Sequence, residues 1–572
     1  MGSKCIYLHF YFFICGMILF LSKLCIGFRP IKKLFQYFIL PSLRFLTLNP
    51  YQMTVKIFKS LTLSLLMVST LPLVAQKKET KKSDQKDVKT TEKKDDPYSS
   101  ATFSALAFRS IGPAVTSGRI SDFAVNPDNH SEYYVASSSG GVWKTTNKGI
   151  TYQPVFDGEG SYSIGCVSLD PSNSNTVWVG SGENNSQRSV AYGDGVYKSL
   201  DGGKSWKNMG LKSSEHISQI IVDPKDPNTI YVGAYGPVWS EGGERGVYKS
   251  VDGGATWTCV KSVSAYTGCN DLVMDPRDNK VLYAAFHQRM RKVFTYIGGG
   301  PESAIYKSTD AGATWTKLEG GLPAGEVGRI GLDISPVNPD MLYAVVEAKD
   351  GKGGIYRTTN RGASWEKRSG TFTSGNYYQE MTCDPHNAEK IYITDTYNKV
   401  SYDGGKTVSN LGEINKHIDN HAIWIDPNDP NHLLVGCDGG IYETFDHAKT
   451  YDFKSNLPVT QFYKVSTDND YPFYTVHGGT QDNLSLAVPS RTTSANGIVN
   501  ADCYVTSLGD GFETQVDQSD PNIIYAQSQY GGLVRFDRKN GEYLPIKPVE
   551  GENDDAYRWN WDAPLPISQF DN

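Results

Sequence analysis

The chain has 572 residues, with 56 Lys and Arg against 62 Asp and Glu and a formal net charge of −6. That length exceeds one ordinary core and requires several domains or a repeat array. The near-neutral balance excludes a nucleic-acid partner drawn in by charge. Nine Cys and ten His, all scattered, exclude a disulfide scaffold or a multi-zinc protein.

In chain order, residues 1–52 hold an apolar run from Cys5 to Ser22 that is long enough to span a membrane. Met53 then opens a new pattern. Lys56 and Lys59 are followed by the apolar Leu61–Val68 and by Leu73-Val74-Ala75, with a cleavage expected before Gln76. Residues 53–75 therefore read as a signal peptide, and 1–52 as upstream sequence from a wrong start or a membrane segment. The body is expected to be exported, to the periplasm, the cell surface or the medium, with membrane contact confined to the N-terminal segment. Lys77–Asp96 is charged and free of aromatics, so 76–100 is expected to be a disordered linker. Cys166, Cys259, Cys269, Cys383, Cys437 and Cys503 read as free thiols, most of them buried; Cys259 and Cys269 alone are close enough for a local bridge.

From Thr102 onward a unit of roughly 45–55 residues recurs, the period of propeller blades. Half of it is an apolar strand closed by Asp-Pro, as at Asp170, Asp223, Asp275, Asp384 and Asp426. The other half is S/T-x-D/N-x-G-x-S/T-W, at Ser199–Trp206, Ser250–Trp257, Ser308–Trp315 and Thr358–Trp365, with weaker copies at Thr145, Ser401 and Thr444. The acid suits a turn because its oxygens accept backbone N–H groups, and the Trp packs between sheets. An acid repeated in every unit is structural. The expected fold is all-β, a β-propeller of four-stranded blades with Asp-box turns. About seven blades fill 101–455, and 456–572 holds degenerate, truncated further blades, with Tyr557–Trp561 opening one more. The alternative is a single ring of about ten blades.

The repeat resembles the Asp-box (BNR) repeat of sialidases and sortilins. The whole of 102–572 resembles exported bacterial proteins with a sortilin-type N-terminal propeller, often labelled glycosyl hydrolases. The likeness rests on Phe108-Arg-Ser-Ile-Gly-Pro-Ala, Ser117-Gly-Arg-Ile, Gly182-Glu-Asn-Asn, His477-Gly-Gly-Thr-Gln-Asp-Asn and Gly509-Asp-Gly-Phe-Glu. More distantly the chain is similar to two-propeller xyloglucan-active glycoside hydrolases. That likeness implies a catalytic Asp before a Gly-Gly in the first blade, where this chain has Ser139.

Loops that enter innermost strands and loops that join second to third strands share one face of a propeller, where a site would be built. Three such loops are long and decorated. Gly182–Gly195 carries Glu183, Asn184 and Arg188; Tyr235–Gly246 carries Trp239 and Glu241; Phe286–Ser303 carries Arg289 and Arg291. Rings and forked donors suit a glycan or a peptide. His417, Asp419 and His421 alternate near an innermost strand, but on straight β backbone they spread over about 13 Å, too far for one metal ion. Asp482 and Asp510 lie in Gly-bearing turns of the degenerate blades. No Walker, zinc or EF-hand spacing is present, so neither a cofactor nor a metal is expected. The first reading is a non-catalytic, exported, sortilin-like propeller that binds a peptide or glycan through blades 2–4, with Asn184, Arg188, Trp239, Arg289, Arg291, His417, His421, Asp482 and Asp510 as contacts. The alternative is a glycoside hydrolase acting on a polysaccharide, with a carboxylate pair drawn from Glu183, Glu241 and Asp419.

Overall fold

The computed structural model describes residues 100–106, 108–113, 115–568 and 570. The chain divides into two units, Met1–Leu106 and Ala107–Asn572. In the first, a short 3-10 turn spans Ser100–Phe103. The upstream segment, the signal peptide and the linker predicted over 1–100 lie outside the described residues, Ser100 excepted. Among the described residues, no helix is long and apolar enough to cross a membrane.

The second unit is built from four-stranded antiparallel sheets whose strands follow sequence order. Blade 1 pairs Ile120–Val125, Tyr133–Ser137, Gly141–Thr145 and Gln153–Pro154. Its second strand, Tyr-Tyr-Val-Ala-Ser, is buried along its whole length, because a strand inside a sheet flanked on both faces has no solvent side. Its fourth strand is exposed. The innermost strands of blades 2–7 are Ile164–Asp170, Ile217–Asp223, Thr267–Met274, Val327–Ile334, Met381–Cys383 and Asn420–Ile425. Blade 4 carries an extra hairpin, Met290–Lys292 with Thr295–Ile297.

An apolar cluster fills each gap between neighbouring sheets from blade 1 to blade 7, and Ile120 and Val135 of blade 1 pack with Ala422 and Leu434 of blade 7. The ring therefore closes at seven blades. Two further sheets follow, blade 8 from Phe462–Thr467 and blade 9 from Thr514–Val516. Tyr557–Trp561 forms no strand. Instead, Tyr530 N donates to Trp561 O at 3.2 Å, and the indole sits edge-on to Tyr530.

The repeated turns behave as their chemistry requires. In blade 2, Ser205 N and Oγ donate to Asp201 at 2.9 and 2.6 Å, and Gly203 N donates to Ser199 Oγ at 2.8 Å. Trp206 Nε1 reaches Val155 O of blade 1 at 2.6 Å. The hydroxyl and amide donors of Ser205 hold the Asp201 carboxyl down to about 2, and the same arrangement recurs at Asp252 and Asp310. All six described cysteines are free, with Cys259 exposed and Cys269 buried.

Innermost strands are stapled across blades by carboxylates. Asp122 accepts Phe123 N of its own strand at 2.8 Å and Val167 N of blade 2 at 3.0 Å. Asp271 does the same with Leu272 N and Leu332 N, and Asp333 with Ile334 N and Cys383 N. At the outer end of the closing seam, His432 places Nδ1 2.9 Å from Asp426 and Nε2 2.8 Å from Glu443, and His130 of blade 1 lies 3.2 Å from Asp426. Burial opposes charge on His432, but Glu443 and Asp426 outweigh it and raise its pKa.

A raised His pKa in the folded state contributes stability that is complete below its unfolded pKa and is lost as pH rises through the folded value. The unfolding midpoint of His432→Gln is thus expected to fall more at about pH 6 than at about pH 9.5. Thermal melts at the two pH values check this, and equal losses would refute the charge contribution.

Candidate functional site

Arg119 stands immediately before the innermost strand of blade 1 and is 3% exposed. Its Nε donates to Asp438 Oδ1 at 2.6 Å and its Nη1 to Glu183 Oε1 at 2.6 Å. Nη2 reaches Asp482 Oδ2 at 3.2 Å and the Tyr377 hydroxyl. Tyr377 in turn donates to Asp438, and His421 Nε2 lies 2.9 Å from Asp438 Oδ1. Glu183 and Asp438 follow the second strands of blades 2 and 7, and Asp482 follows that of blade 8. The cluster therefore ties blade 8 to the ring on the face where strand-entry and second-to-third-strand turns gather.

Local backbone places these groups. Gly182 has φ +84°, and a Cβ there would meet Glu215 O at 1.8 Å, so the turn that presents Glu183 requires glycine. Gly439 follows Asp438 because a Cβ would come within 2.6 Å of the His417 ring. Asp419 has φ +63°, which bends the chain before Asn420 begins the strand. That bend separates the paths of the three alternating side chains. His421 meets Asp438, Tyr378 donates its hydroxyl to Asp419, and His417 Nε2 lies 3.3 Å from Asp482 O. Among the described residues, no group of three or more His, Cys, Asp or Glu side chains is placed to hold a metal ion directly.

The cluster drives its carboxyls to opposite protonation states. Burial disfavours the Asp438 charge, but Arg119 and His421 hold its pKa well below the ordinary carboxylate range. Burial and the neighbouring Asp438 charge push Asp482 up to about 9, against the pull of Arg119. Asp510 is raised by burial, with hydrogen bonds from the Asp482 turn opposing. Asp419 is raised chiefly by burial, with the Tyr378 hydroxyl opposing and Asp438 adding.

The connection from blade 5 to blade 6 reaches across to blade 2. Ser186 N donates to Asn376 O at 2.9 Å, and Asn184 Nδ2 to Glu380 Oε1 at 3.1 Å. It carries Tyr377 and Tyr378 over the cluster. An aromatic wall stands beside Asp510, where Tyr463 stacks on Phe512 at 4.8 Å and exposed Arg188 lies 5.1 Å over the Trp561 ring.

The structure thus brings together Glu183, His417, Asp419, His421, Asp482 and Asp510, and sets Arg188 and Asn184 at the margin. The other predicted residues lie elsewhere. Arg289 is fully buried, with Nη1 donating to Asn185 O at 2.7 Å and Nη2 to Gly236 O at 2.8 Å. Arg291 donates to Ser186 O. Trp239 is 42% exposed, and exposed Glu241 accepts from the Tyr266 hydroxyl. Arg119, Asp438, Tyr377 and Tyr378 were not anticipated. Asp438 had a signal, since Asp438-Gly439-Gly440 repeats in blade 7 the Asp-Gly-Gly pattern sought at Ser139.

No family model matches the chain. A xyloglucanase of Hypocrea jecorina (strain QM6a) is 22% identical over 245 residues, 38% of this chain and 28% of the relative. A xyloglucanase of a Paenibacillus species is 26% identical over 247 residues, 39% of this chain and 23% of the relative. The matches therefore span about a quarter of those curated relatives. The crystal structure of a Niastella koreensis GH74 enzyme superposes with a TM-score of 0.54 at 17% identity, covering 77% of this chain and 68% of that one. At that identity the likeness is one of fold.

Removing the Arg119 charge leaves Asp438 and Glu183 buried without their shared cation. Arg119→Met is expected to cost about 3–5 kcal/mol, read by denaturant unfolding, and adding Asp438→Asn should recover part of it. A loss below about 1 kcal/mol, the ordinary worth of a surface pair, would show that the cluster does not hold the face together.

Proposed function

We propose that the protein is an exported glycoside hydrolase that cleaves a polysaccharide between the ring and blade 8. The observation that carries this reading is the split protonation inside one cluster, with Asp482 held protonated beside an ionised Asp438. Glycoside hydrolysis needs a carboxylic acid to protonate the leaving oxygen and a carboxylate to activate water or attack the sugar. Asp482 takes the first role. Asp438 is fully engaged by Arg119, Tyr377 and His421, and serves to keep Asp482 protonated. Asp419 takes the second role, oriented by the Tyr378 hydroxyl and made more basic by burial. Tyr463, backed by the buried Phe512, and Trp561 with Arg188 offer ring and guanidinium faces to a sugar. The low-identity xyloglucanase relatives agree with a polysaccharide substrate.

Ser139, at the place where the related hydrolases are expected to carry an acid, favours a second reading in which the same face binds a glycan without cleaving it. The two readings separate on reducing-end release from a panel of plant and algal glycans.

Asp482→Asn and Asp419→Asn are each expected to lower release by about 10²–10⁴-fold with glycan binding retained. Binding without release by the unmutated protein establishes the second reading. The acid acts in its protonated form, so the rate should fall as pH rises through the Asp482 value of about 9. Asp438→Asn removes a charge that raises that value, so its alkaline limb is expected at lower pH. An unmoved limb would assign the proton to another group.

A further inference from the structure

Two guanidinium groups on the margin of the cluster have no carboxylate partner. Arg188 is exposed, and among the described residues its guanidinium makes no hydrogen bond or ion pair. Its Cζ lies 5.1 Å over the Trp561 ring, and a flat face spent on a ring leaves the in-plane N–H donors open. Arg291 is half-buried, with Nε and Nη2 donating to Ser186 O at 3.2 and 2.8 Å and Cζ 4.2 Å over the Tyr296 ring. Its Nη1 makes no bond among the described residues and keeps access to solvent.

The two groups are neighbours on one braced loop. Ser186, which anchors Arg291, belongs to the loop that carries Arg188. That loop is fixed by Ser186 N on Asn376 O at 2.9 Å, Glu183 N on Ala191 O at 3.1 Å and Gln187 N on Asn185 Oδ1 at 2.9 Å. Burial lowers the Arg291 pKa against the pull of Tyr296, and the Arg188 charge lowers it further. Like charges held together with no anion between them carry a cost that an oxyanion removes. The loop also leads to the proposed acid, since Ser189 Oγ donates to Gln481 Oε1 at 3.5 Å and Gln481 precedes Asp482.

We propose that the polysaccharide taken by this face carries oxyanions, either uronate carboxylates or sulfate esters, and that Arg188 and Arg291 together bind one of them beside the reacting sugar. This rests on the reading of the face as a polysaccharide site. The planar fork of an arginine meets an oxyanion through paired N–H donors, and Trp561 beneath Arg188 keeps that fork in position. With a formal net charge of −6, the chain as a whole does not attract a polyanion, so a preference for charge must come from a local site.

The test uses the whole chain and polymer pairs that differ only in charge. One pair is polygalacturonate with its carboxyl-reduced form, the other a sulfated galactan with its desulfated form. Titration calorimetry at about 0.15 M salt is expected to show a charged form bound about 10-fold or more tighter than its neutral partner. The pair that shows it names the oxyanion. Arg188→Gln, at a side chain with no bond to lose, should cut that preference by about threefold or more, and Arg188→Gln/Arg291→Gln should abolish it. Equal binding of charged and neutral forms by the unmutated protein, or binding confined to neutral glycans, overturns the proposal and leaves the polysaccharide reading standing. So does a preference that Arg188→Gln leaves unchanged. Binding of no glycan, charged or neutral, overturns the polysaccharide reading and the proposal with it.

Discussion

The structure turns on a guanidinium taken out of water. A buried Arg is tolerated only when its donors find acceptors of opposite charge, and Arg119 draws them from far apart in the chain. Glu183 comes from blade 2, Asp438 from blade 7, Asp482 from blade 8 and Tyr377 from the connection into blade 6. Each acceptor reaches Arg119 only if its own blade is in place. Ring closure and the seating of blade 8 are therefore read out at one residue, and the cost of burying the charge is met only in the assembled molecule.

That fastening also sets the chemistry. Asp438 pairs with Arg119 and His421 and stays ionised; Asp482 receives a longer contact from the same guanidinium and the repulsion of Asp438, and stays protonated. The ionised Asp438 thereby keeps Asp482 in the acid form that the proposed chemistry needs, while Asp419 stands apart as the base. The cluster arranges this with one cation shared unequally.

The blades were legible in the sequence because their signal is local. Ser199, Asp201, Gly203 and Ser205 bond within five or so residues of one another, so their spacing alone specifies the turn. The repeat count favoured seven blades over a ring of about ten, and the contact that closes the ring at seven, Ile120 with Leu434, joins residues too far apart in the chain to be read from local spacing. The same distance hid Arg119, whose partners are 64 to 363 residues away. Arg289 and Arg291 misled in the opposite sense. A charge in a long loop reads as solvent-facing, yet both bridge neighbouring loops through backbone carbonyls. Tyr557–Trp561 carries the aromatic alternation of a strand but pairs with no strand among the described residues, and Trp561 packs on Tyr530 instead.

A repeat protein separates holding from reacting by where it breaks its own pattern. The turn acids at Asp201, Asp252 and Asp310 are equivalent and held low by hydroxyls and amides at fixed spacing, so none can act differently from its copies. The turn after the second strand is different in kind: blade 1 offers Ser139 there, blade 2 Glu183, blade 7 Asp438 and blade 8 Asp482. Equivalent backbone positions with unequal side chains converge on one face, and a shared cation then makes their environments unequal as well. Symmetry supplies the geometry, and its local failure supplies the difference in proton affinity that the proposed chemistry uses.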